Sequence, residues 1–229
     1  MISAGIIAAG EGSRFKKSGI KVHKPLIPVA GFPLIGHTLR NLEALGVGRV
    51  VVIFNETEAD CVAWVGQNFP RLQFEFIVKS TKSSFESFRR VGEKLGPGRH
   101  LISTVDVFCI KEELARLLVD QKSEGILLGV TAMVDDEKPL WVQMDEGSGA
   151  ITALGGPGPA KYATAGVYNV PHGIFTESVA TEFSSLREYL GWLVKKGVPT
   201  RGVVLTRMVD VDLPKDVQLA EKLLREVGQ

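Results

Sequence analysis

Up to about residue 134, short apolar runs alternate with amphipathic runs of helical period, and few folds admit that alternation. Ile2–Ala8 reads as a buried strand. Pro33–Leu45 sets Leu34, Ile35, Thr38, Leu39, Leu42 and Leu45 at helical spacing and closes at Gly46. Strand patterns follow at Arg49–Phe54, Leu72–Val78, His100–Val105 and Ile126–Val134. Helical patterns at Glu58–Asn68, Ser84–Leu95 and Lys111–Gln121 separate them. Parallel strands need crossovers, and helices supply them, so the rhythm predicts a mostly parallel sheet with helices on both faces. The expected fold is a single-domain, three-layer α/β/α Rossmann-like arrangement.

The rhythm changes in the second half. Leu140–Met144 and Ala150–Leu154 flank Glu146-Gly147-Ser148-Gly149, a hairpin pattern. Tyr162–Val170 reads as a strand and Ser185–Lys196 as a helix, followed by short strands at Val203–Thr206 and Met208–Val211. Lys215–Val227 is the closing helix. No linker is long or polar enough to separate two independent domains. The expectation is one domain over 1–229, with a change of architecture between its halves at about residues 135–136.

Composition narrows the function classes. The 229 residues carry 27 basic and 26 acidic side chains, a net charge of +1, so a general electrostatic grip on nucleic acid or an anionic membrane is not expected. The longest near-apolar run is about half of the ~20 residues that a membrane-spanning helix requires. Cys61 and Cys109 lack metal spacing and read as buried thiols of a reducing, cytoplasmic protein. His23, His37, His100 and His172 form no ligand spacing, and the three tryptophans read as core.

Chemistry concentrates where the first strand ends. Ala8-Ala9-Gly10-Glu11-Gly12-Ser13-Arg14-Phe15 places glycines where a backbone can approach a ligand and aim N–H groups at phosphate oxygens. A turn glycine with a purely steric role gives the same pattern. The dinucleotide fingerprint needs a small residue at position 15, where Phe15 stands, and no Gly-Lys follows at P-loop spacing. Arg14 sets a fixed cation beside the turn, suited to a triphosphate. Ten positions on comes His23-Lys24-Pro25-Leu26-Ile27-Pro28, then Gly31-Phe32-Pro33-Leu34-Ile35, with Pro25 restraining the backbone after Lys24.

Together these segments resemble the nucleotidyltransferase superfamily, and within it the sugar-phosphate nucleotidyltransferases. Their pattern is Ala-Ala-Gly-x-Gly-[Ser/Thr]-Arg, about ten residues, then a Lys-Pro-Leu segment. The molybdenum-cofactor guanylyltransferase branch usually has a shorter gap. His23 stands where the family often has proline. The resemblance implies a nucleoside triphosphate on the backbone of Ala8, Ala9, Gly10, Glu11, Gly12 and Ser13, with Arg14 and Lys24 as catalytic cations.

The resemblance extends further. Leu101-Ile102-Ser103-Thr104-Val105-Asp106 ends an apolar strand in an aspartate, the family's carboxylate for Mg²⁺, with Thr104 beside the nucleotide; a helix-capping aspartate looks the same. Asp210-Val211-Asp212-Leu213-Pro214-Lys215-Asp216 is similar to the C-terminal signature and puts Asp212 on the metal. Asp210 shares its face in extended chain, and Asp216 suits the first turn of the closing helix. Tyr162-Ala163-Thr164-Ala165-Gly166-Val167-Tyr168 resembles the acceptor-side strand, with Ala165 and Gly166 against a sugar, or simply a strand packed closely by a neighbour. The Glu-Lys-Pro that often precedes that strand is displaced to Glu137-Lys138-Pro139, which leaves Lys161 as a candidate for the acceptor phosphate. Ser80 and Thr81 are base-side candidates within a Ser/Thr cluster that serves equally as a helix N-cap.

The implied reaction joins a nucleoside triphosphate to a small phosphorylated acceptor, foremost a sugar 1-phosphate, and releases pyrophosphate. A polyol, inositol or molybdopterin acceptor, or a regulatory module without turnover, stays open. An apolar face on Leu186–Val194 suits a homodimer as readily as a core.

Overall fold

The computed structural model describes residues 2–118, 125–134, 139–156, 158–176 and 183–228. Ile2–Ala8 forms β1, and every side chain from Ala4 to Ala8 on it is buried or glycine. Ser13–Lys17 (α1) and a single 3₁₀ turn over Lys24–Leu26 follow. Pro28–Val29 (β2) and Phe32–Pro33 (β3) form a small hairpin before Leu34–Ala44 (α2). Val47–Phe54 (β4), Ala59–Asn68 (α3), Gln73–Val78 (β5), Ser84–Leu95 (α4) and Arg99–Thr104 (β6) complete the alternating half. Val107–Cys109 (β7) and Lys111–Leu118 (α5) lead to Ile126–Thr131 (β8). The helix expected over 111–121 is described only to Leu118, and Glu137-Lys138 also lies outside the described residues.

The second half contains Trp141–Met144 (β9), Ile151–Leu154 (β10), Tyr162–Pro171 (β11), Gly173–Thr176 (α6) and Leu186–Lys195 (α7). It continues with Thr200–Val204 (β12), Met208–Asp210 (β13) and Pro214–Glu226 (α8). β4 and β6 flank β1 in parallel, β5 extends that side, and β12 is parallel to β8. β11 runs antiparallel to all its partners. Its one edge meets β9 at Tyr162–Ala163 and then β6 over Val167–Pro171, while its other edge takes β8. The mostly parallel mixed sheet of the sequence reading is therefore what forms.

The core lies in three clusters. One face of the sheet packs Ile35, Leu39, Cys61, Val65 and Leu114 from α2, α3 and α5. The opposite face packs Phe88 and Val91 from α4 and Tyr189, Leu190 and Leu193 from α7. The apolar face of 186–194 is thus used internally. A third cluster joins Phe15 to Ile27, Val29 and, from α8, Ala220 and Leu224. Phe15, the residue incompatible with a dinucleotide fingerprint, is 1% exposed and anchors the Gly-rich turn to the fold. Among the described residues no helix is long and apolar enough to cross a membrane.

Candidate active site

The first motif closes on the second. Gly12 adopts φ +59°, and a Cβ there would stand 3.2 Å from the Lys24 Cβ. Both the left-handed backbone and the close approach require glycine. The turn that follows β1 therefore lies directly against the segment carrying Lys24.

Two carboxylates far apart in sequence meet at that lysine. β7 pairs with β13, setting Asp210 opposite Val107, and the Val211 N–H donates to the Asp106 carbonyl at 2.9 Å. Lys24 Nζ donates to Asp106 Oδ2 at 3.0 Å and to Asp212 Oδ1 at 2.5 Å, and Arg14 Nη1 donates to Asp212 Oδ2. Oxygens of Asp106, Asp210 and Asp212 lie within 4.8 Å of one another. Asp216 Oδ2 accepts from the Asp212 and Leu213 N–H groups, so it caps α8 and fixes the backbone of Asp212. That is the first-turn role expected from its position.

The charges tune one another. Burial opposes the Lys24 ammonium, but Asp106 and Asp212 overcome it and hold the lysine above its ordinary range. Desolvation likewise opposes the Asp106 carboxylate, and Lys24 with the Thr104 hydroxyl prevails to hold it below the usual range. Asp106, Asp210 and Asp212 thus stand against the cations Arg14 and Lys24. An all-carboxylate donor set is hard and suits Mg²⁺ rather than a thiophilic metal.

Two cavities share this charged wall. One, of about 490 Å³, is lined by Ala9–Phe15, Lys24, Thr81, Ser83, Ser84, Ser87 and Thr104. The other, of about 390 Å³, is lined by Thr131, Ala163–Gly166, Tyr168, Arg187 and Asp210. Arg14, Ser84, Thr104, Asp106 and Asp212 border both. A third cavity, about 660 Å³ between β13 and α8, reaches Arg14, Asp210 and Asp212 at its edge and has Val209, Leu219 and Leu223 among its walls, but it touches neither the Gly-rich turn before Arg14 nor Lys24 nor Asp106.

The residues singled out from sequence divide accordingly. Ala9, Gly10, Glu11, Gly12, Ser13, Arg14, Lys24, Thr81, Thr104 and Asp106 line the first cavity, and Ala165 and Gly166 the second. Ala8 is 1% exposed and packs in the core, between Ile7 and Ala9, which both line the first cavity. Ser80 points away: its hydroxyl donates to Asn55 Oδ1 and Glu56 Oε2, both at 3.4 Å. Ser83 is the N-cap of α4, accepting from the Glu86 N–H, so the capping reading of the Ser/Thr cluster holds, and Ser83 and Thr81 also line the first cavity. Lys161 lies outside both cavities. Its ammonium donates to both carboxylate oxygens of Glu146 at 2.7 Å, because the start of β11 pairs with β9 beside the hairpin loop. Besides Arg14, the cation lining the second cavity is Arg187, in the first turn of α7. No pattern marks it in the sequence.

Gly166 has a packing role of its own. It sits at φ +68° in a bulge where the β11–β8 register shifts between Thr164 and Tyr168. A Cβ there would meet Thr104 Oγ1 at 2.6 Å and Val107 Cγ2 at 2.7 Å. The close-packing reading of this strand applies at Gly166, while its neighbours border the cavity.

Residues 4–161 match the family model of the MobA-like NTP transferase domain. The chain belongs to this family. The match runs from β1 to the start of β11 and includes Arg14, Lys24 and Asp106. Among curated relatives, CMP-5'-(3-aminopropyl)phosphonate synthase of Streptomyces rubellomurinus is 31% identical over 90 residues, covering 39% of this chain and 14% of that protein. The bifunctional protein GlmU of Chromohalobacter salexigens is 28% identical over 191 residues, covering 81% of this chain and 39% of that protein. The chain thus spans well under half the length of these relatives. The solved inositol-1-phosphate CTP transferase from T. maritima superposes with a TM-score of 0.82 at 22% identity, over 98% of this chain and 96% of that one. This MobA-like domain therefore has the nucleotidyltransferase fold as well as its motifs.

Proposed function

We propose that this chain transfers a nucleotidyl group from a nucleoside triphosphate to a phosphorylated sugar or polyol, foremost a sugar 1-phosphate, with release of pyrophosphate. One observation carries the reading: Arg14, Lys24, Asp106 and Asp212 form a single charged wall between two cavities of substrate size. The triphosphate takes the cavity of the Gly-rich turn, built almost wholly from the first 135 residues. The acceptor takes the cavity of β11 and Arg187.

An anionic oxygen of the acceptor attacks the α-phosphorus, a new P–O bond forms, and the bond to pyrophosphate breaks. The acceptor supplies the nucleophile, so no side chain need be one. The obstacle is repulsion among anions, and positioned cations remove it. N–H groups of the turn receive the phosphates, and Arg14 and Lys24 exchange carboxylate partners for phosphate oxygens. Lys24, held above its ordinary range, remains an ammonium throughout. Asp106, Asp210 and Asp212 would hold a Mg²⁺, which when bound neutralises charge on the α-phosphate and the leaving group. Similarity to the T. maritima inositol-1-phosphate CTP transferase and to the CMP-5'-(3-aminopropyl)phosphonate synthase widens the candidate acceptors to inositol phosphate and phosphonate chemistry.

The test is pyrophosphate release from ATP, CTP, GTP, UTP and dTTP with Mg²⁺, against a panel of sugar 1-phosphates, polyol phosphates and phosphonates. Release requiring both partners is expected, with Asp106→Ala inactive while still folded. Tight nucleotide binding without release across the panel would instead favour a regulatory module, and no nucleotide binding would overturn the proposal.

A further inference from the structure

The family resemblance leaves His23 unexplained, since proline is common at that position. The structure gives His23 φ −62° and ψ 140° as the residue that opens the Lys24–Leu26 turn. A proline ring would impose the same φ, about −65°. The histidine side chain does not close on its own backbone nitrogen, so no covalent ring fixes φ there. His23 Nδ1 lies 2.8 Å and 3.0 Å from the two carboxylate oxygens of Asp60, in the first turn of α3. Asp60 is itself fixed, accepting from the Cys61 N–H at 3.0 Å, and Cys61 is wholly buried in the core. The His23 carbonyl accepts from the Leu26 N–H at 2.8 Å, so the tethered residue also closes the turn.

We propose that the His23–Asp60 pair is a side-chain replacement for a proline, positioning Lys24 for the transfer reaction by fixing the backbone that precedes it. His23 touches neither cavity, so it acts only through Lys24. Lys24 is the member of the charged wall with the least freedom: it is 9% exposed and meets Asp106 and Asp212 at once. A shift of its backbone misplaces it against both carboxylates and the phosphates, and misplacement of about 1 Å can cost up to ~100-fold in rate.

The proposal rests on the transferase reading, and the experiment separates the two. Amide exchange of Leu26 and Ile27 reports the turn without turnover. In His23→Ala and Asp60→Asn both amides should exchange at least ~10-fold faster, with the melting temperature little changed. His23→Pro should restore slow exchange, and Asp60→Asn should then have no further effect in the His23→Pro background. In the pyrophosphate assay the first two variants should lose about 10-fold in kcat with little change in nucleotide KM, and His23→Pro should recover it. Unchanged exchange in His23→Ala, or no rescue by His23→Pro, overturns the proposal. If wild-type protein turns nothing over, the transferase reading fails while the exchange data still decide whether the tether holds the turn.

Discussion

In the proposed reaction an acceptor phosphate would need a cation, and Lys161 and Arg187 are two candidates. Lys161 spends its ammonium on Glu146 beside the hairpin, whereas Arg187 enters the cavity that also holds Thr164 and Asp210. A charge-assisted hydrogen bond contributes about 1.5–3 kcal/mol, so Arg187→Ala should raise acceptor KM by roughly 10- to 100-fold while nucleotide KM stays put. Lys161→Ala should change neither, and steady-state kinetics on the two variants decides between them. If Lys161→Ala were the variant that raised acceptor KM, the assignment would reverse. Arg14, Lys24, Asp106 and Asp212 were legible in sequence because each sits in a patterned segment with a reason for its residue type. Arg187 was not, because its role depends on where α7 begins over the sheet. Lys161 precedes β11 in sequence, but pairing with β9 turns it to the hairpin and away from both cavities.

At the scale of elements, the long strands and helices announced themselves through periodicity. Ser84–Leu95 is found with the limits its pattern gives, and α2 and α8 differ from theirs by a residue or so at the ends. The pieces that escaped are short: α1, the 3₁₀ turn, the β2–β3 hairpin and β7 each have five residues or fewer, too few for any period. Yet β7 and α1 build the site, the one by pairing with β13 and the other by carrying Arg14. The bulge in β11 is a further such device, and glycine makes it possible. Gly166→Ala must adopt a positive φ and push against Thr104 and Val107, beside Asp106. Left-handed strain in a non-glycine residue costs of order 1–3 kcal/mol, and the overlap adds to it. The variant should melt several degrees lower and lose more acceptor affinity than nucleotide affinity. Thermal unfolding with both KM values checks this, and an unchanged melting temperature would mean that the bulge relaxes freely.

For the whole molecule, pH tests how the fold treats charge away from the site. His100 is the second residue of β6, toward the opposite end of that strand from Thr104, and is 3% exposed. Its Nδ1 meets Ser3 Oγ at 2.8 Å and its Nε2 meets the Gly96 carbonyl at 2.8 Å. Burial, with His172 and Arg49 facing it, holds its pKa below the ordinary histidine value. Burial also lowers His37, whose Nε2 meets the Val29 carbonyl and which faces Arg40. Both rings therefore stay neutral in the folded chain where the unfolded chain begins to take up protons, below about pH 6.5. The unfolded state then binds more protons than the native state, so stability is full above that pH and declines as pH falls. Asp106, held below its ordinary range, adds a loss of the same sign only at more acid pH. Lys24 acts on the other side: its raised pKa contributes stability that is lost only under strongly alkaline conditions. The melting temperature should be flat from about pH 7 to 8 and fall between about 6.5 and 5. His100→Gln should melt lower at neutral pH but with a shallower acid slope, because one of the two protons no longer distinguishes the states. Thermal scans of both proteins across that range measure the slopes, and parallel curves would show that His100 takes up its proton in the folded protein without cost.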